Sequence, residues 1–140
     1  MRLILFTILL MFFSQESLFS QVQKPDVPQP IVQYLEKNFP GQTMIRYKLN
    51  WTPEDATYKI DLSNQVKIEF DHNFVPTTIN SNSGISKSLL PKELLYYLEK
   101  KYPNMEIKSW EKKITRQEVE LQNGMELTFD LKGNLIKIED

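Results

Sequence analysis

The sequence lacks several features that particular protein chemistries require. It contains no cysteine, which excludes disulfides, a thiolate nucleophile and a cysteine zinc site. His72 is the only histidine, so no second imidazole is present to build a zinc site with it. The four glycines stand apart from one another, so the sequence has no glycine-rich loop of the kind that cradles phosphate.

Charge of one sign is not in excess either. The chain has 17 Lys and Arg against 18 Asp and Glu, a net charge of −1. Proteins that bind nucleic acid or an anionic membrane carry a clustered basic patch, so neither partner is predicted. A chain of 140 residues forms one ordinary domain or two very small ones.

The amino terminus has the pattern of a secretory signal peptide, predicted to span residues 1–20. Arg2 supplies the positive end, Leu3–Phe13 is an apolar run, and cleavage is predicted after Ser20. The run has 11 residues, fewer than the roughly 20 that a helix needs to cross a bilayer. Leu18 is larger than the residue preferred three positions before a cleavage site, which leaves an uncleaved anchor as the alternative. We therefore expect a periplasmic or secreted protein without membrane contact after cleavage.

Two segments of the remaining chain repeat. Residues 27–40 align without a gap with residues 90–103, 63 positions further on, and six aligned residues are identical. Residues 58–71 match residues 117–130 at a separation of 59, so the second copy is shorter by four residues. A period near 60 residues that occurs twice indicates a duplicated supersecondary unit rather than a solenoid.

These repeats define the predicted domain organisation. The first repeat spans residues 21–80 and the second spans residues 89–140. Residues 81–88 between them are polar and include Gly84, which is typical of a linker. A unit of about 60 residues buries only about 60 per cent of its unfolded surface. We therefore expect the two copies to share a core or a continuous sheet.

Each repeat begins with a predicted helix. Pro28 and Pro91 stand where a first helical turn tolerates proline, and Pro40 and Pro103 end the helices. Apolar side chains recur at every fourth position and give each helix one apolar stripe: Ile31, Leu35 and Phe39 in the first, and Leu94, Leu98 and Tyr102 in the second.

Alternating apolar and charged residues follow each helix and predict half-buried antiparallel strands. Two-residue hairpin turns are predicted at Asn64-Gln65 and Asn123-Gly124, and Asn-Gly is the strongest short hairpin signal because both of its residues accept positive φ. One strand before and one after each hairpin complete the repeat. The predicted fold class is α+β, with two tandem repeats that each pack one helix on a four-stranded antiparallel sheet. The two sheets either join into one larger sheet or form separate lobes.

The second repeat carries a pattern that resembles a known family. It comprises Leu90-Pro91, an apolar helix, Tyr102-Pro103, the Asn123-Gly124 turn and Phe129-Asp130-Leu131-Lys132-Gly133-Asn134. These motifs are similar to those of the PepSY-like secreted proteins of the Bacteroidetes, also called β-lactamase-inhibitor-like proteins, and the resemblance covers both repeats. It implies an exported protein of tandem helix-on-sheet units. It does not imply β-lactamase inhibition, because the motifs are turns and core positions.

Two positions depart from the family pattern. Leu135 stands where the family usually has tryptophan, and Phe74 of the first repeat stands where the second repeat has Gly133. The turn of the first repeat is therefore expected to use Asn73 or another residue at positive φ.

No catalytic, cofactor-binding or metal-binding residue is predicted. His72 lies on one tight turn beside Asp71 and Asn73, and we interpret it as an exposed turn residue, since three ligands from one turn suit only a weak cation site. The strand carboxylates alternate with apolar residues, as on a solvated sheet face, and Asp71 and Asp130 are expected to cap turns. A hydrolase-like carboxylate pair is the less favoured alternative, with these candidates: Asp61, Glu69, Asp71, Glu118, Glu120, Glu126 and Asp130.

Aromatic residues give the only indication of a binding site. The repeat alignment places Trp110 at the position of Tyr47. Trp110 alternates with charged residues, and a large ring among charges is typical of an interface hot spot. Tyr47 and Trp51 alternate with apolar residues, so burial of these rings in the core is the alternative. The hypothesis is that Tyr47, Trp51 and Trp110 form a protein- or peptide-binding surface on the outer sheet face.

We therefore expect an exported, non-catalytic binding or inhibitory module that recognises an unidentified protein or peptide through a sheet surface, without a cofactor. One alternative is a small-ligand carrier or sensor, which requires a cavity between helix and sheet. A carboxylate-dependent hydrolase is the less favoured alternative. A helix layer that seals the sheet without a pocket would favour surface recognition.

Overall fold

A computed structural model describes residues 26–140, so the predicted signal peptide at residues 1–20 lies outside the described residues. The order of elements is one helix and four strands, twice over. The first repeat contains α1 (Gln29–Asn38), β1 (Met44–Trp51), β2 (Ala56–Leu62), β3 (Lys67–Phe70) and β4 (Pro76–Ile85). After a short 3₁₀ helix (Lys87–Leu89), the second contains α2 (Lys92–Lys101), β5 (Ile107–Lys112), β6 (Arg116–Leu121), β7 (Glu126–Asp130) and β8 (Leu135–Glu139).

The eight strands form a single antiparallel sheet in chain order, from β1 to β8. The α+β prediction is confirmed, and the two four-stranded units join edge to edge through β4 and β5. Strands β1 and β8 are the two edges of the sheet. Among residues 26–140, neither helix has the length and apolar character needed to span a membrane.

The core lies between the helices and one face of this sheet. One row of cross-strand partners crosses that face and is apolar at every position: Tyr47, Ile60, Ile68, Ile79, Trp110, Val119, Leu127 and Ile138. The inner members are buried, whereas Tyr47 and Ile138 at the two edges are partly exposed. The helix stripes pack on the same face, with Ile31, Leu94 and Leu98 fully buried.

The connection between the repeats differs from the predicted linker at residues 81–88. Strand β4 continues through residues 81–85, and Ile85 pairs with Ile107 of β5. Ser81 is buried, and its hydroxyl accepts a hydrogen bond from the Ser83 amide at 3.2 Å. Polar composition indicated a linker, but these residues extend β4, where local hydrogen bonds such as that of Ser81 replace part of the regular pairing with β5.

The turns also differ in part from expectation. In the hairpins only Gln65 and Gly124 have positive φ, at 67° and 89°, as in longer hairpin loops that contain one left-handed residue. In the later turns, Phe74 itself has a φ of 63° where Gly133 has 85°, so Asn73 does not take that role.

Both predicted Asx caps are confirmed. Asp71 accepts hydrogen bonds from the amides of Asn73 and Val75, at 2.9 and 3.0 Å. Asp130 accepts from the amides of Lys132 and Asn134, both at 2.9 Å. These aspartates hold the turns that join β3 to β4 and β7 to β8.

Candidate binding site

The three predicted binding residues lie on the helix-facing side of the sheet rather than on its outer face. Tyr47 and Trp110 belong to the apolar row, and Trp51 shares the side of Tyr47 because the two are an even number of residues apart. Trp110 is only 3% exposed, and its Nε1 donates a hydrogen bond to Oε1 of Gln117 at 3.0 Å. The predicted surface is therefore wrong in its placement on the outer face, and Trp110 is a core residue.

A β-bulge explains this error. The register between β5 and β6 shifts just after Ile107, where Lys108 is the extra residue. Alternation changes phase at a bulge, so Ile107 and Trp110 both face the helices although three positions separate them. Strand β1 has the equivalent bulge at Ile45. Alternation between Lys108 and Trp110 therefore predicts the wrong face, whereas Lys112 does share the side of Trp110.

An apolar groove lies between α1 and the edge strand β1. Its volume is about 620 Å³, and Glu36 and Arg46 are among its polar lining residues. Most of its lining is apolar, and includes Val27, Leu35, Phe39, Met44, Tyr47 and Leu62. The helix layer thus does not seal the sheet on this side, and sequence reasoning did not identify the groove.

Next to the groove, β1 exposes large apolar side chains. Ile45 is 66% exposed, Leu49 44% and Trp51 69%. Together with Tyr47 they form what we call the β1 edge (Ile45, Tyr47, Leu49 and Trp51). Tyr47, Leu49 and Trp51 share the helix-facing side of β1, whereas Ile45 is the bulge residue, the counterpart of Lys108. Exposed apolar side chains gathered along one edge strand are typical of an interaction site. The strand has the apolar composition of a core strand, as the sequence indicated. Among the described residues, however, no further strand pairs with β1 to cover these side chains.

The equivalent surface of the second repeat is covered. Strand β4 pairs with β5 there, which places Ile79 beside Trp110 and Ile85 beside Ile107. All four of these side chains are buried. The repeat alignment assigns Met44 to Ile107 and Tyr47 to Trp110, and both residues of the first repeat are partly exposed. The groove and the β1 edge are therefore the uncovered counterpart of the junction between the repeats.

The outer face of the sheet is a network of charged side chains. Its ion pairs include Arg46–Asp61 (3.3 Å), Lys59–Glu69 (2.7 Å), Lys108–Glu120 (2.7 Å) and Lys113–Glu118 (2.6 Å). Hydrogen bonds from Lys113 and then Arg116 lower the pKa of the Glu118 carboxyl below its ordinary value. The neighbouring cations favour the ionised form of these carboxylates. This arrangement agrees with the prediction that the strand carboxylates lie on a solvated sheet face.

His72 lies away from the groove on an exposed turn. Its Nδ1 is 2.9 Å from Oδ1 of Asp55, and its Nε2 is 2.9 Å from Nδ2 of Asn73. About 60% of both the His72 and Asp55 side chains is exposed. Within residues 26–140, no group of three or more His, Cys, Asp and Glu side chains is arranged to hold a metal ion.

The fold defines a class of protein in which two helix-and-four-strand units share one antiparallel sheet, with the first strand of the described part of the chain at its edge. The family model described as "Putative beta-lactamase-inhibitor-like, PepSY-like" matches residues 15–78 and 56–137 of the chain. The chain belongs to this family, as the resemblance of its turn motifs implied.

Solved structures of similar architecture come from Bacteroides. A "putative periplasmic protein" from Bacteroides vulgatus is 26% identical with a TM-score of 0.76, covering 81% of this chain and 91% of that one. A "putative calcium-regulated periplasmic protein" from Bacteroides thetaiotaomicron is 26% identical with a TM-score of 0.74, covering 82% and 91%. A further Bacteroides vulgatus protein of unknown function, 20% identical with a TM-score of 0.74 over 82% and 93%, shares the fold. No curated protein matches the chain.

Proposed function

We propose that the chain is an exported, non-catalytic binding module that recognises a protein or peptide partner at the β1 edge and the adjoining groove. The observation that carries this proposal is the exposure of Ile45, Leu49 and Trp51 on a strand whose counterpart in the second repeat is covered. Tyr47 and Trp51 keep their predicted binding role, whereas the buried Trp110 does not.

Export is supported by the signal-peptide pattern and by the similar Bacteroides structures, which are described as periplasmic. Absence of catalysis is supported by the side-chain arrangement. Four carboxylates of the outer face pair with cations, namely those of Asp61, Glu69, Glu118 and Glu120. The Asp71 and Asp130 carboxylates cap turns, and His72 lies on an exposed turn. None of these residues lines the groove, where a substrate would be enclosed. Glu36 does line it, but the lining includes no second acidic residue to form a hydrolase-like carboxylate pair.

Photo-crosslinking in the cell envelope tests this function. A photoreactive amino acid replaces Ile45 in one variant and Ile136 in another. Ile136 is the matched control, because it is 61% exposed on β8 at the opposite edge of the sheet. We expect one reproducible protein or peptide adduct from position 45 and none from position 136.

The outcome is read by mass spectrometry of the adduct. Equal labelling from both positions, or no adduct from position 45 at normal expression, would contradict recognition at the β1 edge. The adduct from position 45 should also decrease when Trp51→Ala removes the most exposed ring of the edge.

A small-ligand carrier is the second candidate, and the groove between α1 and β1 favours it. A volume of about 620 Å³ with a mostly apolar lining lies within the range of small-molecule sites. Native mass spectrometry of the protein purified from the envelope tests this function. A bound apolar molecule that is lost in a Leu35→Gln variant would favour the carrier over the binding module.

Calcium regulation is named for one similar protein from Bacteroides thetaiotaomicron. Within residues 26–140 of this chain, the acidic side chains do not gather into a cluster that could hold a metal ion. Calcium is therefore not part of the function proposed here.

A further inference from the structure

We propose that the partner supplies an extended strand that pairs antiparallel with β1 and carries acidic residues on its outer face, in the register that β4 adopts on β5. This inference rests on the proposed function and specifies the chemistry of the partner. It makes binding a case of β-strand addition, in which backbone hydrogen bonds provide affinity and alternate side chains provide specificity.

The junction between the repeats is the template for this arrangement. On β5, Ile79 of β4 lies beside Trp110, and Ile85 lies beside Ile107. The matching positions of β1 are Tyr47 and Met44, and both line the open groove. A strand in the same register would therefore place one apolar side chain on Tyr47 and a second one in the groove beside Met44.

Charge distinguishes the expected partner from β4. On the outer face, Thr78 and Asn80 of β4 lie opposite Glu111 and Ser109 of β5. The residues of β1 that match Glu111 and Ser109 are Lys48 and Arg46, and both are exposed.

Lys48 also lies opposite a second lysine, Lys59 of β2. Lys59 and Arg46 are paired with Glu69 and Asp61, so Lys48 supplies the excess positive charge at this end of the outer face. Opposite charges across a strand pair are stabilising and like charges are destabilising. The partner strand should therefore carry Glu or Asp where β4 has Thr78 and Asn80.

The same comparison disfavours a second copy of this chain as the occupant. Strand β8 is the counterpart of β4, and its residues at the positions of Thr78 and Asn80 are Lys137 and Glu139. In a head-to-tail pair, Lys137 would lie opposite Lys48. The repulsion between Lys137 and Lys48 would offset the attraction between Glu139 and Arg46. An acidic strand from another protein would instead be attracted to both Lys48 and Arg46.

The test uses synthetic peptides that copy residues 76–88 of this chain. The first peptide carries Thr78→Glu and Asn80→Glu, and the second carries Thr78→Lys and Asn80→Lys. Binding to the mature protein is measured by isothermal titration calorimetry at low and at high salt. We expect the acidic peptide to bind about tenfold more tightly than the basic one at low salt, with a smaller ratio at high salt.

Protein variants locate the site. Lys48→Glu together with Arg46→Glu should reverse the preference between the two peptides. Lys137→Glu makes the same kind of change at the opposite edge of the sheet and should leave the preference as in the wild type. Circular dichroism checks that each variant keeps the fold, and hydrogen exchange should show new amide protection in β1 when the acidic peptide binds.

Each outcome decides the proposal. Failure of both peptides to bind, or a preference unchanged by Lys48→Glu and Arg46→Glu, would overturn strand addition. Retained cross-linking from position 45 would then leave the proposed binding function standing. Self-association that Lys137→Glu strengthens would identify a second copy as the occupant. Peptide binding seen only after deletion of residues 21–25 would identify the chain's own preceding segment. Either result would overturn the assignment to another protein.

Discussion

The two repeats share one fold but differ in how deeply their first strands are buried. In the second repeat β5 lies in the middle of the sheet, with β4 on one side and β6 on the other. In the first repeat β1 has the same bulge and packs beneath the equivalent helix, yet it is an edge strand. Position in the sheet, rather than the pattern of residues along the strand, therefore decides which repeat presents a surface.

The sequences of the two strands reflect this difference in an unexpected way. The exposed strand β1 is the more apolar one, with Ile45, Leu49 and Trp51 open to solvent. An apolar edge strand is a liability for a soluble protein, because it invites pairing with another chain. Its presence here is consistent with an edge that is used for binding.

The largest expected effect compares the two tryptophans. Trp110→Ala should lower the free energy of unfolding by about 4 kcal/mol, because it empties a buried site and leaves Gln117 without its hydrogen-bond partner. Trp51→Ala should change it by less than about 0.5 kcal/mol, since that ring is exposed. Urea unfolding of both variants measures the two changes in free energy. Similar losses of stability in the two variants would contradict the different burial of Trp110 and Trp51.

The second prediction concerns Gly133, in the turn between β7 and β8. A Cβ at this residue would lie 2.3 Å from the carbonyl oxygen of Glu93 in α2, and its φ is 85°. Gly133→Ala should therefore cost about 3 kcal/mol from strain and displacement of the helix. Gly124→Ala is the matched control, with a φ of 89° and no atom within 4 Å of the added Cβ, and should cost about 1 kcal/mol. Thermal unfolding that ranks Gly124→Ala as the more damaging change would exclude this close helix–turn contact.

The third prediction concerns the hairpin loops. The first repeat places Gln65 at a φ of 67°, where the second repeat has Gly124. Gln65→Gly should raise the free energy of unfolding by about 0.5 kcal/mol, because relief of left-handed strain slightly exceeds the added entropy of the unfolded chain. Chemical unfolding measures the change, and a destabilised Gln65→Gly variant would show that the glutamine side chain makes a stabilising contact.

The smallest expected effect is a pH dependence in the second repeat. Lys113 and Arg116 lower the pKa of Glu118 in the folded state, so its ionised form contributes stability above the ordinary pKa of glutamate. That contribution is lost as pH falls through the lowered pKa. Glu118→Gln should therefore weaken the acid dependence of the unfolding midpoint relative to wild type, whereas Glu99→Gln on the exposed side of α2 should not. Equal acid dependence in all three proteins would contradict this role.

Much of the fold was predictable because its causes are local. The paired prolines delimit the helices, the alternation defines the strands, and Asp71 and Asp130 identify their turns. Neither bulge was predictable, since a bulge depends on the pairing between two strands and not on the pattern within one. The missed bulge in β5 made Lys108 a same-face neighbour of Trp110, and Lys112, which does share the side of Trp110, added to the error.

The groove was not predictable for a different reason. Its lining residues, such as Leu35 and Met44, have the same apolar character as Leu98 and Ile107, which are buried in the second repeat. Only the strand order shows that β4 covers β5, whereas no strand of residues 26–140 covers β1. Knowing which strand lies at the edge requires the complete sheet.

Amide hydrogen exchange of the free protein compares the two first strands directly. Because β1 has a neighbour on only one side within residues 26–140, its outward-facing amides should exchange rapidly, while the amides of Ser109–Lys112 in β5, which lies between two strands, should be protected. We expect protection in β1 to rise towards that of β5 only when the strand partner is bound. Protection of β1 in the free protein equal to that of β5 would contradict an open edge in the first repeat.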